Sequence, residues 1–295
     1  MRLNALAVGN DGRNRTLLGP YGSKTGRNQP SNSRYIFGPA KWLRFMIAPP
    51  PAHVLIHRDF KQQEPKIAAV LSGDTELLRA CESGDVYLGI ARQLGFVSES
   101  MSPTELKAVR TLFKTVVLGI QYGLGPRSLA TRTGVSLSEA CEILARLRSR
   151  FSAFESYAQS VVDHAGLHLE VSTPFGWRMR CPSGINPRTV RNFPIQSAGA
   201  EILHVASVLA ERRGIRIVAP IHDAFVAEAE AGQEEESSLA LDRVMRDASR
   251  VVLRGYELGT DVQVVRTGEH FFDERGLEMW TTVTELLAKL EARVA

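Results

Sequence analysis

The apolar positions near both ends of the chain predict short buried strands. One strand is predicted for the continuous run HVLIHRDF, from His53 to Phe60, with Asp59 at its end. Much later in the chain, two strands joined by a tight turn at His222–Asp223 are predicted for IRIVAPIHDAFVAEAE, and a closing strand for DVQVVRTG. Strands are therefore expected at both ends of the chain, far apart in sequence.

Between these strands, apolar residues recur at helical spacing. Asp74 marks one helix start, and Ser102 marks another, where Pro103 suits the first turn and Glu105 completes a capping box with Ser102. Because strands flank the helical middle, from about Asp74 to Arg188, we expect an insertion into a mixed sheet rather than an alternating parallel one. The predicted helices run from about Gln62 to Leu71, Thr75 to Gly84, Ser102 to Tyr122, Ser138 to His164, Ser197 to Arg212 and Glu234 to Arg254.

The helix that begins near Ser102 carries Arg110, Lys114, Leu118 and Tyr122 at four-residue steps. Such a step keeps side chains near one stripe of a helix. The two cations suit phosphates, and the apolar residue and the phenol suit a base or a sugar, so the stripe predicts a nucleotide laid along the helix. The plainer interpretation is a solvated basic face that runs into a buried apolar end.

The charge distribution adds a polyanion to the expected partners. The 295 residues have the ordinary composition of a globular protein, 44% hydrophobic and 23% charged, with a net charge of +4. Residues 1–60, however, carry nine Lys/Arg and two Asp/Glu, which gives +7 and leaves −3 for the rest. A basic N-terminal arm suits nucleic acid, although a flexible basic tail that binds nothing specific has the same composition.

The cysteine spacing and the hydropathy of the chain indicate the cellular compartment in which the protein is expected. Cys81, Cys141 and Cys181 are far apart and form no CxxC pair, which argues against a zinc site and a disulfide framework. The chain start lacks the pattern of a secretory signal, and no apolar run approaches the length of a membrane span. We therefore expect a soluble, cytoplasmic protein with no membrane partner.

Two aspartates, Asp59 and Asp223, stand at the ends of predicted strands. A carboxylate at the end of an apolar strand is inexpensive only where a cation or water meets it. Brought together on adjacent strands, the two would hold a pair of Mg²⁺ ions, which prefer a few carboxylates plus substrate phosphates. Two such metals stabilise the attacking and leaving oxygens of an in-line phosphoryl displacement. Each aspartate alone is more typical of a turn residue.

Five segments keep charged and amide side chains at fixed spacings. They are Thr25-Gly26-Arg27; Asp59 with Gln62 and Glu64; Arg110, Lys114, Leu118, Gly119, Tyr122 and Gly123; Arg188 with Asn192, Pro194 and Gln196; and His222-Asp223-Ala224. Taken together they resemble, in order and approximate spacing, the motifs of the family-A DNA polymerases, the DNA polymerase I type. Those motifs are T-G-R, D-Y-S-Q-x-E, R-x3-K-x3-F/Y-G-x2-Y-G, N-x-P-x-Q and H-D-E. Any one match is weak, whereas five in order are specific.

The resemblance implies an α+β, right-hand polymerase fold with an antiparallel palm sheet and a helical fingers insertion. Residues 1–74, including the basic arm, and 189–295 would form the palm, and residues 75–188 the fingers. The implied function is a small, non-proofreading, template-directed DNA polymerase that adds dNTPs to a primer 3′ end by two-metal phosphoryl transfer. Primer-template DNA and dNTPs are the implied partners.

The resemblance also implies a role for each matching residue. Asp59 and Asp223 would bind two Mg²⁺ ions, and Lys114 would join them as a catalytic residue. The incoming dNTP would meet a second group, in which Arg110 and Lys114 hold the triphosphate, Glu64 crowds the sugar 2′ position and Tyr122 stacks near the templating site. That group comprises Arg110, Lys114, Leu118, Tyr122, Glu64 and Gln62. Primer and template would meet Arg27, Arg188, Asn192, Gln196 and His222.

Three departures from the family pattern change what is expected. Leu118 replaces the aromatic residue of the finger helix, and Ala224 replaces the glutamate that follows the second aspartate. Only about 25 residues precede the T-G-R match, and the family's thumb and exonuclease domains lie upstream of that point. We therefore expect a polymerase that lacks both and works distributively, unless a partner protein supplies the grip or the chain is a fragment.

Plainer interpretations stay open for single residues. Asn192 and Gln196 could cap the helix expected near Ser197, His222 could be a satisfied turn histidine, and Glu64 could complement a helix macrodipole. Two other function classes also stay open. One is a non-catalytic primer-template binding protein with the same fold, and the other is an untemplated nucleotidyltransferase.

Overall fold

The computed structural model describes residues 8–30, 35–38, 40–121 and 123–294. Within them lie helices, strands and two short 3₁₀ turns, Lys41–Met46 and Glu274–Gly276. In chain order the elements are β1 (Leu18–Gly19), β2 (Gln29–Pro30), β3 (His53–Phe60), α1 (Gln63–Ser72), α2 (Thr75–Glu82), α3 (Val86–Gln93), α4 (Pro103–Gln121), α5 (Pro126–Thr133), α6 (Leu137–Arg150), α7 (Ser152–His168), β4 (Glu170–Ser172), β5 (Arg178–Arg180), α8 (Pro187–Arg212), β6 (Ile217–Ile221), β7 (Ala224–Glu230), α9 (Glu234–Val252), β8 (Thr260–Val265) and α10 (Leu277–Val294).

The main sheet has four strands in the order β6-β7-β3-β8. Each of its three pairings is antiparallel, which confirms the antiparallel sheet and corrects the mixed sheet expected from element order alone. The hairpin turn at His222–Asp223 aligns β6 against β7, and β3 then lies between β7 and β8. Strands from opposite ends of the chain thus become direct neighbours.

Successive side chains of the central strand β3 point to opposite faces of the sheet, and both faces contain buried residues. Leu55 belongs to an apolar cluster with Val226, Val265 and Phe271. On the opposite face Arg58 is only 8% exposed. Its guanidinium donates to the Asp242 carboxylate of α9 at 2.8 Å, and the low exposure of both side chains makes this a largely buried ion pair.

Several helix boundaries confirm the sequence predictions. Asp74 caps α2 by accepting from the Leu77 N–H at 2.9 Å. At the start of α4 the capping box is present: Ser102 N–H donates to Glu105 Oε2 at 2.7 Å, and Glu105 N–H donates to Ser102 Oγ at 3.3 Å. These caps depend on residues within one turn of each other, which is why the sequence predicts them well.

The single helix predicted from Ser138 to His164 is wrong, since the backbone leaves helical geometry at Phe151 (φ −106°, ψ 51°) and separates α6 from α7. The break exposes N–H groups at the start of α7. The Asp74 carboxylate satisfies one of them, because Oδ2 accepts from the Phe154 N–H at 3.0 Å. A residue 80 positions away therefore stabilises the break.

The start predicted for α8 is also wrong, because the helix begins at Pro187 rather than Ser197 and continues through Pro194. Asn186 Oδ1 accepts from the Arg188 N–H at 2.9 Å, the contact that an N-cap residue makes. Helices α3, α5 and α10 and the hairpin β4–β5 lie outside the set of predicted elements.

Two compact units divide the chain. The first comprises residues 1–60, 203–248 and 259–295 and contains the four-stranded sheet. The second comprises residues 61–202 and 249–258 and is mainly helical. Their boundaries fall near residues 60 and 202, whereas the palm and fingers were predicted to meet near residues 74 and 188, so that assignment stays a prediction. Across the described ranges, no helix is both long and apolar enough for a membrane span.

Candidate active site

The antiparallel sheet places the two predicted metal-binding aspartates at neighbouring positions. Asp59 is the penultimate residue of β3 and pairs with Ala224, the first residue of β7. Asp223 precedes Ala224 in the hairpin turn, and its carbonyl oxygen accepts from the Phe60 N–H at 3.2 Å. His222 makes the turn possible by taking a left-handed conformation, with φ of 53°. The sheet therefore brings together two carboxylates that are distant in sequence.

The charged form of Asp59 is disfavoured at this position. Burial, the Asp223 charge and the Asp261 charge together raise the pKa of Asp59 to about 7, while the Phe60 N–H and Arg275 act in the opposite direction. Asp59 Oδ1 is buried and has no hydrogen-bond partner among the described residues. A bound cation would satisfy this oxygen and favour the charged carboxylate, so the residues present fit a divalent metal.

The described residues offer few side chains that could hold a metal ion. Across the described part of the chain, no group of three or more His, Cys, Asp or Glu side chains is arranged to hold a metal ion. Mg²⁺ often binds through one or two carboxylates while keeping several waters and contacting substrate phosphates. Two carboxylates without further protein ligands therefore agree with a Mg²⁺ site whose remaining ligands are water and substrate phosphates.

Asp261 is an acidic neighbour of Asp59 that the sequence analysis missed. It lies on β8, directly opposite Asp59 in the antiparallel register, and its side chain is exposed. In the sequence Asp261 is the first residue of the predicted DVQVVRTG strand. Only the strand order shows that this strand is the neighbour of β3.

The helix α4 carries the predicted nucleotide stripe on its more exposed side. Phe113, Val116 and Val117 are buried, whereas Lys114 is exposed and Leu118 is half-buried. Arg110 has a partner within its own unit: its Nε donates to Asp85 Oδ2 at 2.5 Å. The guanidinium also lies 5.5 Å from the centre of the Tyr87 ring, and 43% of the Arg110 side chain remains exposed. Tyr122, the last residue of the stripe, lies outside the described residues.

The two glycines near the end of α4 allow close packing. A Cβ on Gly119 would lie 2.5 Å from Leu124 Cδ2, so a larger residue would displace that side chain. Gly123 has a positive φ of 65°, and a Cβ there would lie 3.1 Å from Arg188 Cγ. Arg188, a predicted primer-template residue, therefore lies against the chain just beyond α4.

The second unit also contains the predicted sugar-checking residues. Gln62 has a left-handed conformation, with φ of 53°, and precedes α1. Its Nε2 donates to the Gly84 carbonyl oxygen at 3.2 Å. Glu64 lies in the first turn of α1, and its Oε1 accepts from Gln196 Nε2 at 3.5 Å, a long hydrogen bond. Glu64 and Gln196, which are 132 residues apart, are therefore adjacent.

The capping interpretation of Asn192 and Gln196 is wrong, because both lie inside α8, beyond its first turn. Asn192 is 4% exposed, and its Oδ1 has no hydrogen-bond partner among the described residues. Buried amide oxygens are normally satisfied. This one is therefore available to a donor that the chain itself does not supply.

Several cations of the first unit lie near enough to His222 to affect its pKa. Burial chiefly lowers the pKa of His222, and the charges of Arg27, Lys41 and Arg44 lower it further, although Asp223 opposes them. The imidazole is therefore favoured in its neutral form, which can both donate and accept a hydrogen bond. Arg27 is held by its backbone, whose N–H donates to Ser23 Oγ at 2.9 Å in the turn of the T-G-R segment.

An antiparallel sheet that carries two neighbouring aspartates, together with a mainly helical second unit, agrees with the class of nucleic-acid polymerase folds. The model of DNA polymerase family A matches residues 37–268 of this chain. The chain therefore belongs to DNA polymerase family A.

Individual relatives agree with this family. The chain is 28% identical to DNA polymerase I of Chloroflexus aurantiacus over 82% of its own length and 27% of the relative. It is 26% identical to the thermostable DNA polymerase I of Thermus caldophilus over 93% of its own length and 34% of the relative. It thus spans about a third or less of these curated relatives.

A solved structure shows the same fold. The polymerase domain of Pol1 from M. smegmatis, in complex with DNA primer-template and dNTP, matches with a TM-score of 0.76 and 26% identity. The match covers 90% of this chain and 49% of that one. The α+β fold with an antiparallel palm sheet, implied by the motif resemblance, is thereby confirmed.

Proposed function

We propose that this chain catalyses template-directed addition of dNTPs to a primer 3′ end. The observation that carries the proposal is the position of Asp59 and Asp223 at one end of the central sheet, in a chain that belongs to a polymerase family. Members of this family generally use divalent metal ions. Two bound Mg²⁺ ions would stabilise the charge on the attacking and leaving oxygens of phosphoryl transfer.

The side chains of the two aspartates would hold the ions. The unpartnered Asp59 Oδ1 supports this role, since a buried carboxylate oxygen needs a donor or a cation. Binding alone does not require a pair of neighbouring carboxylates such as Asp59 and Asp223, which favours catalysis over a non-catalytic primer-template binding protein. Ala224, in place of the family's glutamate, is the feature that favours the non-catalytic alternative.

The finger helix would bind the incoming nucleotide. Lys114 and Arg110 would neutralise triphosphate charge that grows in the transition state. Asp85 holds Arg110 in this structure, so a phosphate would compete with that carboxylate for the guanidinium. Leu118 would contact the base or sugar more weakly than the family's aromatic residue, and Tyr122 would stack near the templating site.

Sugar and primer contacts complete the proposal. Glu64, next to Gln196, would exclude a 2′-hydroxyl, and Gln62 would support it from the start of α1. Arg27, Arg188, Asn192, Gln196 and His222 would contact primer and template, where minor-groove acceptors are nearly alike for all base pairs. Such contacts test pairing shape rather than sequence. With the grip supplied mainly by charge, the enzyme would be distributive.

Primer extension tests the proposal. The reaction contains Mg²⁺ and four dNTPs, with and without template, and compares wild type with Asp59→Ala and Asp223→Ala. Both variants should lose extension while binding primer-template as well as wild type in a fluorescence anisotropy titration. Asp163→Ala, which removes an exposed carboxylate on α7, is the matched control and should extend normally.

Three results would contradict the proposal in different ways. Extension without template indicates an untemplated nucleotidyltransferase. Primer-template binding without extension by the wild type indicates a binding protein. Normal extension by either aspartate variant shows that the catalytic metals bind elsewhere.

A further inference from the structure

We infer that Asp261 is a positioning residue for the metal ions, a third carboxylate that acts on them through bound water from β8. The inference rests on the proposed function and adds a residue to the same site. It starts from the strand register, in which Asp59 has two direct neighbours, Ala224 on β7 and Asp261 on β8. Directly opposed residues of antiparallel strands share a face of the sheet, with Cβ atoms about 4.5–5.5 Å apart. Asp59 therefore has a methyl group on one side and a carboxylate on the other.

The arrangement is costly unless a cation is present. Like charges directly opposite each other destabilise a sheet, and Asp59 already has a buried oxygen with no hydrogen-bond partner among the described residues. Arg275 is a cation whose charge reaches Asp59. Its guanidinium, however, donates to both carboxylate oxygens of Asp273, each at 2.8 Å, so Arg275 is paired with that carboxylate. A divalent ion would convert the repulsion between Asp59 and Asp261 into shared attraction.

The neighbouring positions explain why the extra carboxylate lies on β8. Ala224 is 3% exposed and belongs to an apolar cluster with Leu55 and Val226, so a glutamate there would bury a charge among apolar side chains. Asp261 lies on the edge strand β8, and its exposed side chain keeps its hydration. The carboxylate that this chain lacks at Ala224 is thus supplied from the opposite side of Asp59.

Contact through water follows from two observations. The described residues contain no set of three side chains arranged to hold an ion directly, and Mg²⁺ keeps several of its waters in protein sites. A carboxylate beyond the direct ligands orients those waters and the ligands themselves. Loss of such an outer partner typically weakens metal binding by about 10- to 100-fold.

Mn²⁺ binding measures this role without relying on turnover. The protein is mixed with dideoxy-terminated primer-template and the next dNTP, and Mn²⁺ is added. Electron paramagnetic resonance measures the Mn²⁺ that stays free, and the bound amount follows by difference. We expect Asp261→Asn to weaken Mn²⁺ binding about tenfold or more, and Asp261→Glu to restore most of it. Glu285→Gln, which removes an exposed carboxylate from α10, should bind like wild type.

A second measurement separates metal positioning from a structural role. In EDTA the melting temperature of Asp261→Asn should exceed that of wild type, because repulsion at Asp59 is relieved; in saturating Mn²⁺ the difference should shrink or reverse. Mn²⁺ affinity of Asp261→Asn equal to that of wild type would overturn the inference.

The controls distinguish this inference from the proposed function. If Asp59→Asn loses Mn²⁺ while Asp261→Asn keeps it, only the role of Asp261 is wrong. If wild type shows no Mn²⁺ binding and Asp59→Asn extends primers normally, the proposed function and the inference are both wrong.

Discussion

Removing one partner of the ion pair that links the central strand to α9 should cost a large share of the stability of its unit. Arg58 lies next to Asp59 and donates to Asp242 Oδ1 at 2.8 Å and to Ser238 Oγ at 3.0 Å. The side chains of Arg58 and Asp242 are 9% and 16% exposed. Replacing Asp242 by Asn keeps the shape and one acceptor but leaves a buried guanidinium without its counter-charge.

The magnitude follows from that burial. Breaking a buried pair by removing one partner costs about 3–5 kcal/mol, and a retained hydrogen bond to a charged group returns part of it. We therefore expect Asp242→Asn to lower the free energy of unfolding by about 2–3 kcal/mol, and Asp242→Ala by about 3–5 kcal/mol. In a chain of this size the first change should lower the melting temperature by roughly 4–12 °C.

Urea unfolding followed by tryptophan fluorescence measures the effect, since Trp42 and Trp280 belong to the same unit as the pair. The double variant Arg58→Met/Asp242→Leu should recover much of the loss, because removing both charges leaves neither unpaired. Glu142→Gln, which breaks the exposed pair with Arg146, is the control and should stay close to wild type. A loss below about 1 kcal/mol for Asp242→Ala would refute the reasoning and show that water reaches Arg58.

Three further predictions concern the site. In EDTA the chain should lose stability as pH rises from about 4 towards 7, since the raised pKa of Asp59 makes its ionisation unfavourable in the folded state. Asp59→Asn should flatten the fall in melting temperature over this pH range. An unchanged slope would show that Asp59 is not the group that titrates. Glu64→Ala should raise the ratio of rNTP to dNTP incorporation efficiencies, and an unchanged ratio would mean that Glu64 only complements the start of α1. Primer-template affinity should fall steeply with salt, and Arg27→Ala should reduce the logarithmic slope by about one unit without changing which base is inserted. Long products from single encounters, measured with a DNA trap, would show that the chain clamps the duplex by other means.

The sequence by itself determined several of the local elements and the identity of most candidate residues. The β3 strand, the hairpin turn at His222–Asp223 and the capping box at Ser102 depend on neighbours within a few positions, so their patterns are legible in the chain. The ordered motifs pointed to the family for a similar reason, because each keeps a short spacing.

Only the tertiary structure decided which distant residues meet. The break at Phe151 is stabilised by Asp74, and Arg110 is held by Asp85, contacts that no local pattern predicts. Asp261 has an ordinary place at the start of a strand in the sequence. It becomes a neighbour of Asp59 because β8 pairs with β3, and strand order is set by how the whole sheet buries its apolar faces rather than by the residues beside Asp261.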